Sequence, residues 1–483
     1  MAQKPVSLII PPSTFLLDER VFPFLGVLKV AAVLEQRGYE VEVLDLSGVS
    51  DFEEATKVFA LNSQASNFGI TATTPQMPAA KLIAEAIRSA RRNTKIILGG
   101  PHGTLVNAAM KGEIKRGVLG RRAYSSMKTL VNLFDVIVAG DGEEAIFPAL
   151  QRNSPQIIDA DDPKSPLFLK NEDLSAMPFP ARYLIDLNSY HYSIDGVRAT
   201  SLIGQLGCPF ECGFCGGRLS PFLRRVRLRS VESIISEMRF LHETYNLNGF
   251  MFYDDELNVS TEMVRLMRAI SEEQQKIGKE WRLRGFIKSQ LFTDEQAEEM
   301  YRAGFRWILV GFESGSPRIL QNINKKSTRE ENTRCIDIAK RHGLKVKALM
   351  SMGHPGESEE TVLATRDWLL EVQPNDFDLT IITTYPGTPY YDQSVPAGDG
   401  TWVYTYDRTG DKLYSLETDH TQFADYYKGR PGEYTSLVWT DFLSREKLVE
   451  MRDSVEREVR EKLSIPYPLA SPSTQYEHSM AQK

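Results

Sequence analysis

Three of the four cysteines in this 483-residue chain fall within eight residues, as Cys208, Cys212 and Cys215 in the stretch Gly207-Cys-Pro-Phe-Glu-Cys-Gly-Phe-Cys-Gly-Gly217. Thiolates spaced this closely can turn inward onto one metal centre. A disulfide framework would call for an oxidising compartment and an even, dispersed set of cysteines. A structural zinc site would call for a fourth ligand, usually from a second close pair, and here only Cys335 or a distant histidine is on offer. Three thiolates with one coordination position open suit an iron–sulfur cluster that keeps one iron for an exogenous ligand. Cys335 lies in a helical stretch and reads as a small buried hydrophobe.

The elements that position this loop follow from the alternation of apolar runs. Residues 1–150 alternate strands (Ser7–Ile10, Tyr39–Leu44, Asn67–Thr71, Lys95–Leu98, Phe134–Ala139) with helical stretches, which predicts a doubly wound parallel sheet that binds ligands at its carboxyl ends. Those ends carry Thr71 and Thr73, then Gly99, Gly100 and His102, then Gly140, Gly142 and Glu143. Glycines there let a ligand approach the backbone, although tight strand–helix turns need them too. The partly basic stretch from Met110 to Leu133 reads as an excursion from the sheet, and residues 151–198, rich in Pro and Asp, read as a linker.

A second series occupies residues 199–395. Six strand–helix units predict a partial (β/α)6 barrel, whose active site collects at the carboxyl ends of its strands. The cysteine loop follows its first strand, Asp254 and Asp255 its second, Glu313 and Ser314 its fourth, and the Gly353-His-Pro-Gly-Glu357 turn its fifth. A carboxylate such as Glu313, buried at a strand end, needs a ligand or a cation such as Arg284. The run Arg224-Arg-Val-Arg-Leu-Arg229 reads first as a solvated face, and otherwise as a contact for an anionic group. Residues 396–483 form a mixed C-terminal extension. It is aromatic from Trp402 through Tyr426, Tyr427 and Tyr434 to Phe442, helical and charged from Arg445 to Lys462, and Ser/Pro-rich and frayed after Pro466.

The formal net charge of −7 argues against a nucleic-acid partner. No run of eighteen apolar residues predicts a membrane span, and Val6–Ile10 is too brief for a signal-peptide core. A cytoplasmic protein with reduced thiols is expected.

A CxxxCxxC loop after the first strand of a partial barrel resembles the radical S-adenosylmethionine (SAM) superfamily. The resemblance implies that Cys208, Cys212 and Cys215 hold a 4Fe-4S cluster whose unique iron binds SAM, and that one-electron reduction yields a 5′-deoxyadenosyl radical. It also implies SAM contacts from Phe214, Asp254, Asp255, Glu313, Ser314 and Gly353. The preceding sheet domain, with Phe22-Pro-Phe-Leu-Gly26 and the glycine turns, resembles the cobalamin-binding subgroup. The cobalamin contacts implied are Thr71, Thr73, Gly99, Gly100, His102, Gly140, Gly142 and Glu143. Many such domains supply an axial histidine through Asp-x-His-x-x-Gly, whereas this chain has Asp45-Leu-Ser-Gly48. The cobalamin implied is therefore base-off, its lower face meeting water or the loop from Thr71 to Pro75.

The activity implied is methylation of an unactivated carbon of a small-molecule substrate, with a flavodoxin or ferredoxin-type electron donor and the C-terminal extension closing over the substrate. The alternative within the superfamily is cyclisation, dehydration or rearrangement without methyl transfer. From another class, a non-catalytic electron-transfer or structural zinc protein also stays open.

Overall fold

Short runs of Val, Ile and Leu buried on both faces pair as parallel strands, since such strands must be covered by helices on each side. In the computed structural model, which describes residues 5–14, 16, 18–118, 121–424 and 435–466, the first domain runs β1 (Val6–Ile10), α1 (Leu25–Gln36), β2 (Val41–Asp45), α2 (Phe52–Asn62), β3 (Asn67–Thr71), α3 (Met77–Ala90) and β4 (Lys95–Gly99). It continues with α4 (Pro101–Lys115), α5 (Arg122–Leu133), β5 (Val136–Gly140), α6 (Gly142–Leu150), β6 (Ile157–Ala160) and the short α7 (Asn171–Ala176). The sheet order is β2-β1-β3-β4-β5-β6, and every pairing is parallel. The expected excursion after Met110 is the end of α4 and the whole of α5, packed on the sheet through Val106, Met127 and Leu130. The stretch expected to be linker contributes β6, a sixth strand on the sheet edge.

The barrel begins with a β-hairpin, β7 (Ser193–Ile194) and β8 (Val197–Leu202), followed by β9 (Gln205–Leu206), the turn of helix α8 (Pro221–Arg224) and β10 (Arg227–Leu228). Then come α9 (Val231–Tyr245), β11 (Gly249–Phe252), α10 (Met263–Ile277), β12 (Arg282–Phe286), α11 (Asp294–Arg302) and β13 (Phe305–Glu313). The series ends with α12 (Pro317–Asn322), α13 (Arg329–Arg341), β14 (Lys345–Met352), α14 (Glu359–Val372), β15 (Asp376–Ile381) and α15 (Pro389–Asp392). Helices α9, α11, α13 and α14 start at Ser230, Thr293, Thr328 and Ser358, whose hydroxyls accept from the backbone N–H three residues on. Six parallel strands, β8 and β11 to β15, curl into a half-barrel with β7 antiparallel on one edge.

The concave face is filled by Phe22 from the first domain, Tyr192 and Ile194 from the hairpin segment, and Met251, Tyr253, Phe286 and Leu309 from the strands. Cys335 of α13 is buried in the main barrel core, and burial pushes its thiol pKa up.

The C-terminal extension is an antiparallel sheet of β16 (Val395–Gly398), β17 (Thr401–Thr405), β18 (Lys412–Leu416) and β19 (Val438–Trp439), then α16 (Arg445–Leu463). The helix is charged, as expected, but not only on its outer face. Arg452, Glu456 and Arg460 are buried and interlock with Lys347, Asp376 and Asp378 on the last two barrel strands. Tyr426, Tyr427, Tyr434 and the tail after Pro466 lie outside the described residues.

Candidate active site at the domain seam

The cysteine loop is pinned from both sides by backbone. Cys208 N–H donates to Leu223 O at 3.0 Å, Gly213 N–H to Ile323 O at 2.8 Å and Gly217 N–H to Gly387 O at 2.9 Å. A side chain at Gly213 would collide with the ring of Tyr390, 2.4 Å from the position of a Cβ. At the base of the loop the two aspartates after β11 hold its backbone: Asp254 Oδ1 accepts from Gly204 N–H at 2.7 Å, and Asp255 Oδ2 from Gly207 N–H at 3.0 Å.

None of the three cysteines is in a disulfide. Cations surround them. The Arg218 guanidinium lies 3.9 Å from Cys215 Sγ, and although burial opposes it, the sulfurs of Cys215, Cys208 and Cys212 raise its pKa. Lys288 sits 4.3 Å from the Phe210 ring centroid and donates to Lys325 O, its pKa lowered by burial and then by Lys325. Among the described residues no three His, Cys, Asp or Glu side chains close on a single ion. Three thiols outside any disulfide, with cations beside them, fit the negative charge that a four-iron cluster would bring.

Glu313 ends β13 at a register shift against β14, with φ +67. A bulge of this kind re-aims a side chain. Its carboxylate accepts from Lys325 Nζ at 2.9 Å and from Ser351 Oγ at 2.7 Å. Burial would raise the Glu313 pKa, but Lys325 and Ser351 outweigh it and hold the carboxyl below its usual range. Lys325, not Arg284, is thus the partner; Arg284 lies beside the Trp307 ring, 5.2 Å from its centroid.

From Ser351 the network continues to His354 Nε2 at 2.8 Å, and His354 Nδ1 lies 3.4 Å from the Tyr390 hydroxyl. Burial pushes the His354 pKa down to about 4, so the ring is neutral, and the Phe214 ring stands edge-on to it at 5.3 Å. Ser314 turns away to Thr365 Oγ1 at 2.9 Å. Gly353, with φ +85, opens the turn after β14, where its N–H donates to Glu357.

A cavity of about 250 Å³ lies between this loop and the first sheet. Thr71, Thr73, Gly99, Gly100, Gly140, Gly142 and Glu143 line one side of it, while Gly204, Gln205, Gly207, Tyr253 and Asp255 of the barrel line the other. Gly100, at φ +91, has no room for a Cβ, which would meet Thr71 Oγ1 at 2.7 Å. Gly26 and Gly99 differ: nothing lies within 4 Å of a Cβ at either position, so the protein's own packing does not explain them. Two glycines facing empty space in a slot walled by Leu8, Ile70, Ile97, Val138 and Ile146 leave room for a large planar, partly apolar ligand, which fits a corrinoid.

His102 does not line this cavity. It is buried on α4 with Nδ1 3.0 Å from Thr74 Oγ1, and its ring faces His420 of the C-terminal extension at 6.3 Å. The basic run also differs from a solvated face. Arg227 pairs with Asp141 of the first domain at 2.6 Å, across the seam, and Arg229 with Glu237 of α9 at 2.6 Å, all four buried.

Lys325, Ser351, Lys288, Arg218 and Tyr390 were not singled out from the sequence. Only Arg218, three residues beyond Cys215, sits close enough to the motif to have been noticed there.

Residues 202–369 match the Radical SAM superfamily and residues 19–122 match the B12 binding domain family. The chain is 26% identical over 405 residues to an uncharacterized methyltransferase of Pyrococcus horikoshii, covering 81% of this chain and 83% of that one. It is 24% identical over 411 residues to an anaerobic magnesium-protoporphyrin IX monomethyl ester cyclase of Rubrivivax gelatinosus, covering 80% and 68%. Its fold is similar to that of the radical S-adenosylmethionine methyltransferase TsrM of Kitasatospora setae, solved with cobalamin and a [4Fe-4S] cluster. The TM-score is 0.65 at 18% identity, over 95% of this chain and 91% of that one. The half-barrel is thus similar to the Radical SAM superfamily and the sheet domain before it to the B12 binding domain family.

Proposed function

We propose that the protein is a cobalamin-dependent radical SAM methyltransferase acting on an unactivated carbon of a small molecule. The observation that carries this reading is one continuous cavity, walled by Thr71, Gly99 and Gly140 of the B12 binding domain and by Gly204, Gly207 and Asp255 at the foot of the cysteine loop. When bound, the cluster with SAM supplies a 5′-deoxyadenosyl radical and cobalamin supplies a transferable methyl group.

The chain's own residues bind and orient. Cys208, Cys212 and Cys215 are the cluster ligands, and Arg218, Lys288 and Lys325 offset their negative charge. Asp254 and Asp255 fix the loop through its backbone, leaving Asp255 on the cavity wall. Phe214, Glu313 and Gly353 form the SAM side of the site, with Lys325 and Ser351 holding the Glu313 carboxylate in place. Thr71 and Thr73 would face base-off cobalamin held here, and among the described residues no histidine lines the cavity. A flavodoxin or ferredoxin-type protein delivers the electron, in the cytoplasm; among the described residues no helix is long and apolar enough to cross a membrane.

The match to the uncharacterized methyltransferase spans 83% of that chain against 68% of the cyclase, which favours methyl transfer over cyclisation. The test is anaerobic reconstitution with iron, sulfide and hydroxocobalamin, then SAM and a reductant. Retained corrinoid absorption, with S-adenosylhomocysteine and 5′-deoxyadenosine both formed, is expected. 5′-Deoxyadenosine alone would refute methyl transfer, and Cys335→Ala losing iron as Cys212→Ala does would refute the ligand assignment.

A further inference from the structure

Lys29 stands one turn into α1 and lines the cavity, half-buried. Its ammonium has no ion pair or hydrogen bond among the described residues. The charges facing it are Arg229 and Arg182, which share the single carboxylate of Glu237 at 2.6 and 2.8 Å, and Glu143 on α6. Three cations thus face two carboxylates, a surplus of one positive charge. Burial, and next Arg229, lower the Lys29 pKa. An ammonium held in a cavity wall against desolvation, in a group with one more positive charge than the protein offsets, is completed by an anion from a ligand.

The surroundings say what kind of anion. The slot beside Lys29 is walled by Leu8, Ile70, Ile97, Val138 and Ile146, between the sheet and the helices α1 and α6. An apolar slot with one unmatched cation on its wall complements a ligand arm that ends in an apolar aromatic base and carries one negative charge just before it. The nucleotide tail of cobalamin is such an arm, since its phosphodiester is the only fixed anion of the corrinoid's side chains. SAM has a base, but its sulfonium and ammonium outnumber its one carboxylate and leave it net positive, and a substrate carboxylate would bring charge but no base to fill the slot.

We propose that Lys29 is the counter-ion of the phosphodiester in the nucleotide tail of cobalamin. The inference rests on the reading of this cavity as the corrinoid site and adds a residue that positions the tail.

The test compares hydroxocobalamin with cobinamide, which lacks the phosphodiester and the base, by visible absorption titration of the full-length protein. Wild type binds hydroxocobalamin more tightly than cobinamide. Lys29→Met keeps the length of the side chain and loses about tenfold or more in affinity for hydroxocobalamin, the scale of one charge-assisted hydrogen bond. Its affinity for cobinamide stays within about twofold of wild type, which also shows that the variant is folded, and Lys29→Arg recovers most of the loss. Equal loss for both corrinoids, or no loss for either, overturns the assignment, the latter being expected if Lys29 serves SAM or substrate instead. If wild type takes up neither corrinoid, the proposed function itself fails, a result distinct from any effect of Lys29.

Discussion

Substituting Lys325 by methionine keeps most of the side-chain volume and strands the Glu313 carboxylate. The two charges sit 2.9 Å apart with side-chain exposures of 5% and 11%. At an effective dielectric of about 20 their attraction is roughly 6 kcal/mol. Part of that offsets the desolvation of both groups, and removing one partner of a buried pair costs about 3–5 kcal/mol in practice. The Ser351 hydroxyl remains on the other carboxylate oxygen at 2.7 Å, which sets the expected cost near the lower bound, about 3 kcal/mol. For a domain of this size that lowers the melting temperature of the cofactor-free protein by roughly 6–12 °C.

The pH dependence carries the sign. In wild type the folded Glu313 pKa lies below its ordinary value, so the stabilisation is present above about pH 4.5 and is lost as pH falls through the folded value. Without Lys325, burial dominates and raises the carboxyl pKa, so the variant takes up a proton and its deficit narrows as pH falls from about 8 to about 5. Glu313→Gln combined with Lys325→Met recovers part of the loss at the higher pH. A drop under about 2 °C, or a deficit that stays constant across that range, would show that no charge is stranded and that the pair does not hold the bulged end of β13.

Arg218→Gln removes the cation 3.9 Å from Cys215 Sγ. The added electron spreads over a cluster centre farther off and the guanidinium is partly solvated, so the one-electron potential should fall by roughly 40–90 mV, or about 1–2 kcal/mol, in a redox titration followed by electron paramagnetic resonance. An unchanged or higher potential contradicts the role. The buried neutral histidines His102 and His354, with pKa pushed down to about 4, and His420, to about 3, bind fewer protons folded than unfolded, so stability should fall as pH drops from about 6.5 toward 4. His102→Gln, which can keep the bond to Thr74, should flatten that slope in melting curves; an unchanged slope would place the acid sensitivity elsewhere.

What was legible in the sequence was whatever a local pattern carries. The cysteine spacing needs only eight residues, and the parallel strands announce themselves through runs of Val, Ile and Leu that must be covered on both faces. β6, four residues long in a stretch rich in Pro and Asp, falls below the length at which such a run is distinctive. Arg227 and Arg229 show the other limit. Arg-Val-Arg-Leu-Arg does alternate, and alternation puts Arg227 and Arg229 on one face of a strand, but a charge run is ordinarily solvated. They are buried because Asp141 arrives from the first domain, 86 residues away, and because the helix that follows turns Glu237 back onto Arg229. His102 was singled out by residue type and position, yet its surroundings are set by Thr74 and by His420, more than three hundred residues later.

Lys29 and Glu313 are the instructive pair, for each is a charge that the fold buries at a strand or helix end. Glu313 has its answer within the chain, since the bulge that swings it inward also brings Lys325 and Ser351 to it. Lys29, half-buried on the cavity wall, faces Glu143 without an ion pair or hydrogen bond among the described residues, and the charges around it leave one positive charge over. A buried polar group satisfied by its neighbours explains architecture, whereas one left waiting on a cavity wall points to the ligand. That difference is invisible in sequence, where both are single charged residues in apolar stretches, and it is why the corrinoid side of this site can be argued from a lysine that no motif contains.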